Sequence, residues 1–266
     1  MLVMGVLNLT PDSFYDGGRY ITPQAAVERA LAMVDEGADI IDIGGESSRP
    51  GARPVGVDEE LARVVPVVEA LIEKSDVLIS VDTTKSAVAR AAIAHGARII
   101  NDISALRNDA NMARVVARSG AYLVLMHMQG NPETMQQNPV YGDVVADIKD
   151  FLQERIDAAV SAGIDRKRLI VDPGIGFGKR LPHNLEILRD LARFKDLDLP
   201  ILVGLSRKSF LGEILDLPTS ERLVGTIAAN AIAIANGADI IRVHDVKEGR
   251  RTADVAFRLR SDATQH

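Results

Sequence analysis

Two carboxylates, two amides and three cations stand where runs of aliphatic residues stop. Asn8 ends Val-Met-Gly-Val-Leu-Asn, Asp82 ends Val-Leu-Ile-Ser-Val-Asp, Asn101 ends Arg-Ile-Ile-Asn and Asp172 ends Leu-Ile-Val-Asp; Lys208, Arg242 and His244 close two further runs. A pocket for a simple anion needs only donors. Carboxylate beside amide can read a flat heterocycle that shows N–H donors and ring acceptors along its edges. The cations suit a phosphate-bearing group at the other end, and Arg242 can also lie on an aromatic face. Asn8, an oxygen ligand beside the loop residue Asp12, is a candidate to help hold Mg²⁺ carried in by that phosphate. No metal cage made of protein ligands alone is visible.

Each of these residues has a plainer reading. Asp82, followed by Thr83, Thr84 and Lys85, can cap a helix. Lys208 can be a solvated lysine at a helix start, although the positive end of a helix disfavours it. Asp172 before Pro173 can simply end a strand. His127, after Tyr-Leu-Val-Leu-Met, is as readily a satisfied structural histidine as a site residue and is left out of the site. Asp-Pro-Gly-Ile-Gly-Phe-Gly-Lys179 invites a phosphate-loop reading, but Pro173 and Arg180 stand where that motif needs Gly and Ser or Thr. Its glycines instead keep a turn tight and let a flat substrate lie against backbone near Phe177.

The elements that must position these groups follow from the runs. Continuous β-branched segments are the mark of strands buried on both faces. Eight of them, separated by helix-length amphipathic segments, predict an α/β fold, a single (β/α)8 TIM barrel whose strands point their C-terminal ends into the reaction pocket. Helices are predicted over about 23–36, 57–74, 85–95, 109–118, 142–162, 182–194, 207–236 with a break, and 247–260. Thr22 with Pro23 reads as a helix start, and Thr219-Ser220-Glu221 as the cap of the second part of the seventh unit. Gly37-Ala-Asp-Ile-Ile-Asp42, Gly96-Ala-Arg-Ile-Ile-Asn101 and Gly237-Ala-Asp-Ile-Ile-Arg242 echo one another, with a looser copy at Gly120. Each reads as one helix-to-strand joint, with glycine taking the left-handed conformation. Loops 9–22 and 45–56 are long, rich in Gly, Pro, Asp, Ser and Arg, and are candidate lids over the barrel mouth.

Composition limits the partners. The 266 residues fit one barrel domain, 1–266, and 47% hydrophobic with only 4% aromatic residues suits a core of Val, Ile, Leu and Ala layers. A net charge of -6 and no Lys/Arg run argue against nucleic acid, and no apolar stretch is long enough to span a membrane. Cysteine is absent, so disulfide and thiolate chemistry are excluded, and with no signal segment the cytoplasm is the default.

Residues 5–14 (Gly-Val-Leu-Asn-Leu-Thr-Pro-Asp-Ser-Phe), 42–51 (Asp-Ile-Gly-Gly-Glu-Ser-Ser-Arg-Pro-Gly), 81–83, 101–103, 172–179, 206–209 and 242–244, in that order along the whole chain, closely resemble the dihydropteroate synthase family. The resemblance implies condensation of 6-hydroxymethyl-7,8-dihydropterin diphosphate with p-aminobenzoate, with release of pyrophosphate, in folate biosynthesis. It further implies that Asp172, Asn101 and Lys208, helped by Asp82, read the pterin edge, that Arg242 covers its face and joins His244 on the diphosphate, and that Asn8 contacts Mg²⁺. Asp12 would stabilise a cation left on the pterin when the C–O bond breaks first. Phe14, Ser48, Arg49 and Pro50 would close the two loops around p-aminobenzoate, whose carboxylate would rest at a helix N-terminus opened by Ser206 and Arg207. Sulfonamides would compete with it. A homodimer is implied too, for which the residues themselves offer only apolar positions in the last two helices.

Ser48 stands where the family commonly has threonine and Tyr15 where it has serine, and the chain starts at the first strand without the extra N-terminal segment often found there. That implies a more open barrel floor or a start upstream. Three rivals remain. A corrinoid-dependent methyltransferase using methyltetrahydrofolate needs no diphosphate site, an amidohydrolase barrel needs His-x-His where Leu7-Asn8 stands, and a non-catalytic pterin-binding barrel would bind without turnover.

Overall fold

The computed structural model describes residues 1–10, 22–47, 53–132 and 134–260. Its eight strands are β1 (Leu2–Asn8), β2 (Ile40–Gly44), β3 (Leu78–Asp82), β4 (Ile99–Asp102), β5 (Tyr122–Met126), β6 (Leu169–Asp172), β7 (Leu202–Gly204) and β8 (Ile240–Val243). They pair in parallel in the order β6-β5-β4-β3-β2-β1-β8-β7, and a bridge between Val171 and Ile201 joins the two ends, so the sheet closes into the expected barrel.

Around it lie α1 (Pro23–Asp35), α2 (Val57–Lys74), α3 (Ser86–Ala94), α4 (Met112–Ser119), α5 (Val144–Ser161), α6 (Leu181–Arg189), α7 (Ser209–Leu215), α8 (Leu223–Ala235) and α9 (Val246–Leu259). Thr22 caps α1, its hydroxyl accepting from Ala25 N at 3.2 Å. The echoed joints are all one motif. Gly37, Gly96 and Gly237 have φ of 101°, 111° and 113°. At each, the next residue's N–H reaches back five positions, as in Ala38 N to Met33 O and Ala97 N to Ala92 O. This satisfies the last helical carbonyls and turns the chain into the next strand.

Three sequence expectations need correction. The sixth helix stops at Arg189 and a 3-10 turn covers Leu191–Leu197, where a single helix over 182–194 was expected. Thr219–Glu221 form a 3-10 turn of their own, and α8 starts from Arg222 without a side-chain cap. The fourth helix starts at Met112 and not at 109, because Asp109 is used elsewhere. Its carboxylate accepts from Ser86 N at 2.9 Å and so caps α3 from across the barrel top.

The barrel interior is a plug with a polar layer above it. Met4, Ile40, Ile99, Val124, Ile170, Leu202 and Ile240 form a separate buried cluster, one residue from each strand except β3, while a larger apolar shell lies between strands and helices. Side chains on one face recur every second residue, roughly 6.6 Å further along the strand. The next inward positions after the plug are therefore Val6, Asp42, Asn101, Met126, Asp172, Gly204 and Arg242, level with or just below Asn8, Asp82, Ser206 and His244. That parity, more than any single motif, gathers the chemistry at one rim.

Candidate active site

The centre of the rim is a hydrogen-bonded network that crosses the barrel. Arg242, on β8, donates from Nε to Asp42 Oδ2 at 2.6 Å and from Nη2 to Asp82 Oδ2 at 3.0 Å. Asn101, on β4, donates from Nδ2 to the same Asp42 oxygen at 3.0 Å. Asp42 is fully buried, and its other oxygen has no hydrogen-bond partner among the described residues. Asp82 therefore pairs with Arg242 and does not cap α3.

Asp42 is the residue that sequence reasoning missed, although a signal was present. The three echoes end on Asp42, Asn101 and Arg242, and a repeated joint feeding three strands of one barrel sets its final residues at corresponding heights. Asn101 and Arg242 both donate to Asp42. Within its run Asp42 looks like an interruption of a core strand, and only the terminal residues of runs drew attention.

The β6–β7 side of the rim is built differently. Asp172 is buried, with Oδ1 accepting from Gly174 N at 2.7 Å. Lys208, just past β7, donates from Nζ to Ile175 O and lies 4.7 Å from the centre of the Phe177 ring. Glycine at 204 leaves the space these groups share. A Cβ there would stand 3.8 Å from Arg242 Cβ and 3.9 Å from Lys208 Nζ. On the opposite side, one at Gly44 would stand 3.5 Å from Asn8 Oδ1 and 3.8 Å from Asp82 Cβ. Asn8, Asp82, Asn101, Asp172, Lys208 and Arg242 thus share one mouth.

Burial sets the proton affinities. It raises Asp82 to about 7, a rise opposed by Arg242 and helped by Asp42. Asp172 is raised by burial as well, with Lys208, the Gly174 N–H and Lys179 pulling it back. Lys208 is lowered to about 8 by burial, against the attraction of Asp172. Arg242 moves upward, since Asp42 and Asp82 outweigh the burial that works against its charge. Carboxylates raised and an amine lowered within one cleft are what a substrate-binding site shows.

His244, also at the rim, lies with Nδ1 3.0 Å from Ser206 Oγ, which accepts from the His244 backbone N–H at 3.3 Å. Arg207 is not at the mouth. With φ of 55° it turns back to pair with Asp245 at 2.9 Å and to donate to Thr219 O and Ser220 O. The helix that follows, α7, opens at Ser209 from Lys208. The expected anion cradle of Ser206 with Arg207 therefore keeps only Ser206. His127, left out of the site, lies with Nδ1 2.9 Å from Lys179 Nζ. It is buried against Phe151, and burial with Lys179 and Arg107 lowers it to about 2.

Asp12, Phe14, Ser48, Arg49 and Pro50 lie outside the described residues, as do residues 11–21 of the first mouth loop and 48–52 of the second. The described flanks of the second loop are anchored. Glu46 accepts from Val55 N at 2.8 Å and from Lys85 Nζ at 2.6 Å, and Lys85 also donates to the buried Glu60 at 2.5 Å. No group of three His, Cys, Asp or Glu side chains able to hold a metal is found among the described residues. Nor is any helix among them long and apolar enough to cross a membrane.

Comparison with known proteins agrees with this geometry. Residues 4–244 match the model of a family described as pterin binding enzyme. A curated dihydropteroate synthase of Escherichia coli is 52% identical over 246 residues, 92% of this chain and 87% of that protein. The Yersinia pestis dihydropteroate synthase solved with a sulfonamide drug superposes with a TM-score of 0.94 at 48% identity, covering 98% of this chain and 94% of that one. The Xanthomonas albilineans enzyme solved with 4-aminobenzoic acid gives 0.91 at 46%, covering 98% and 93%. With the match running through every strand that supplies the rim, this chain belongs to the dihydropteroate synthase family of pterin-binding enzymes.

Proposed function

We propose that this chain, working as one barrel domain, condenses 6-hydroxymethyl-7,8-dihydropterin diphosphate with p-aminobenzoate to give 7,8-dihydropteroate and pyrophosphate. The observation that carries this reading is the buried Asp42–Asn101–Arg242–Asp82 network beside Asp172 and Lys208. It offers acceptors and donors to a flat heterocycle at one end and cations to an anionic tail at the other.

In this reading Asp172, Asn101, Asp82 and Lys208 bind the pterin edge, and Arg242 lies over its face. Arg242 and His244 hold the diphosphate as it leaves. The C–O bond to diphosphate breaks first, and the electron-rich pterin spreads the resulting positive charge, so that catalysis is largely the management of charge in a dry site. Asp12 is assigned to stabilise that cation. The arylamine then attacks the exocyclic carbon and loses a proton. Phe177 and Ser206 line its side of the pocket, with Phe14, Ser48, Arg49 and Pro50 assigned to the loops that cover it.

Asn8 fits a Mg²⁺ that arrives with substrate. Its amide oxygen stands at the mouth beside Gly44 and makes no hydrogen bond to a described residue. One neutral oxygen suits an ion that keeps waters and phosphate oxygens as its other ligands. Such an ion supplies charge neutralisation on the leaving diphosphate.

The chain also carries a surface suited to pairing with a second copy. Val224 and Ile232 of α8 and Val255 and Leu259 of α9 are exposed at 75%, 55%, 63% and 79%. Val255 and Leu259 also line a groove of about 520 Å³ together with Ile227 and Ala231. An apolar patch of this kind supports the homodimer.

The test is pyrophosphate release. It is expected only when pterin diphosphate, p-aminobenzoate and Mg²⁺ are all present, with sulfonamides competing against p-aminobenzoate. Methyl transfer from methyltetrahydrofolate without pyrophosphate would favour the rival reading, and binding without turnover would make the barrel non-catalytic.

A further inference from the structure

The segment after β6 is held by its carbonyls. Gly174 O accepts from Phe177 N at 3.0 Å, Ile175 O from Lys208 Nζ, and Gly176 O from Gln136 Nε2 at 2.7 Å. Phe177 O accepts from Lys179 Nζ at 2.9 Å and Gly178 O from the Tyr141 hydroxyl at 2.6 Å. Five successive carbonyls are thus fixed, four of them by side chains from three parts of the chain. Gly174, Ile175 and Gly178 are buried, where water does not satisfy a carbonyl, so protein donors hold the segment in one course.

Lys179 is the least expected member, being only 3% exposed. Its Nζ faces three acceptors, Phe177 O at 2.9 Å, His127 Nδ1 at 2.9 Å and His127 O at 3.4 Å. An ammonium has three N–H bonds, so none is left for a substrate. Burial pushes this amine well below the ordinary lysine range, with Asp172 opposing. Holding a charged group there is costly, and apolar filling would suit a purely packing role better. The contact across which it works is tight. A Cβ at Gly174 would collide with His127 O at 1.9 Å, and one at Gly178 would come within 2.8 Å of Gln129. The two strand ends, β5 and β6, are therefore pressed together, with Lys179 as the polar peg between them. What the peg fixes is the backbone of Phe177, whose ring packs on Ile103, Met126, Met128 and Met135 and faces the Lys208 ammonium.

We propose that Lys179 is a positioning residue for the arylamine. By tying the Phe177 carbonyl to His127, it sets the wall against which the p-aminobenzoate ring docks after the pterin is in place. This rests on the function proposed above, and it makes no use of Lys179 as a contact to either substrate.

The test measures both substrates in Lys179→Met, Lys179→Gln and Tyr141→Phe. Lys179→Met is expected to raise KM for p-aminobenzoate about tenfold with kcat changed much less, a signature of lost substrate binding and not of lost transition-state contact. Pterin diphosphate affinity by calorimetry stays within about twofold of wild type, because the Asp42–Asn101–Arg242–Asp82 network is untouched. Lys179→Gln, which keeps two donors on a shorter stem, falls between, and Tyr141→Phe moves KM the same way by about two- to threefold. If Lys179→Met does not fold, the other two variants read the same segment. An unchanged arylamine KM in the folded variants overturns the proposal, as does a loss seen only as a smaller active fraction with both KM values intact. A wild-type chain that releases no pyrophosphate overturns the function itself, whereas an active wild type with unaltered variants overturns only the role of Lys179.

Discussion

The two sides of the barrel mouth treat buried charge in opposite ways. Around β2, β3, β4 and β8, side chains answer side chains, with Arg242 between Asp42 and Asp82 and Asn101 closing the set. Around β6 and β7, the amines of Lys208 and Lys179 are answered mainly by main-chain carbonyls and a neutral imidazole. A network in which one guanidinium answers two carboxyl groups is hydrogen-bonded before any ligand arrives and holds its shape. Lys208, bonded to a neutral carbonyl and opposed mainly by Asp172, keeps part of its field for a bound ligand. In the proposed function, the first arrangement fixes Asn101 and Asp82 for the pterin edge and Arg242 over its face, and the second leaves Asp172 and Lys208 to complete the reading of that edge.

The contrast can be broken most severely at Arg242. Arg242→Met leaves Asp42 buried without its cation, and removing one partner of a buried pair costs on the order of 3 kcal/mol. Thermal unfolding is expected to move down by several degrees and turnover to be lost together. A variant as stable as wild type would mean that Arg242 is not what offsets the burial of Asp42.

The pH dependence sharpens the comparison, because each side contributes one limb. Asp82, raised to about 7, is a carboxylate only above that pH, and Lys208, lowered to about 8, is an ammonium only below it. The profile of kcat/KM for pterin diphosphate should be a narrow bell that falls on the acid side near 7 and on the alkaline side near 8. Asp82→Asn should flatten the acid limb and leave the alkaline one, while Lys208→Arg should carry the alkaline limb upward. An unchanged acid limb in Asp82→Asn would assign it to another group. The smallest effect is expected at Asn8. Asn8→Ala should raise the Mg²⁺ concentration needed for half-maximal rate by several-fold, about what loss of one neutral oxygen ligand brings. A superimposable metal titration would remove Asn8 from that role.

Much of this was legible in the sequence because strand parity is a short-range rule. Runs ending on Asn8, Asp82, Asn101 and Asp172 place those side chains inward at the top of a barrel, whatever else the chain does. The glycine echoes gave the helix-to-strand joints for the same reason, since positive φ at Gly37, Gly96 and Gly237 is a local demand. Asp42 stayed hidden because its carboxylate is neutralised by a residue 200 positions away, a pairing that no local pattern announces. Lys179 was passed over with the motif that failed as a phosphate loop, and its partner His127 lies 52 residues back in sequence. Asp109 likewise caps a helix other than its own, 23 residues upstream. Arg207 looked like an opening helix turn, yet its positive φ and its pairing with Asp245 depend on the chain around β8.

The convergence of both sides on one ligand is tested most directly by calorimetry of pterin diphosphate binding to Asp172→Ala and Lys208→Ala. Both substitutions are expected to weaken binding by at least about tenfold, the loss of one charge-assisted contact each. Wild-type affinity in both would mean that the β6–β7 side does not touch the pterin, and that the shared mouth is an accident of the fold.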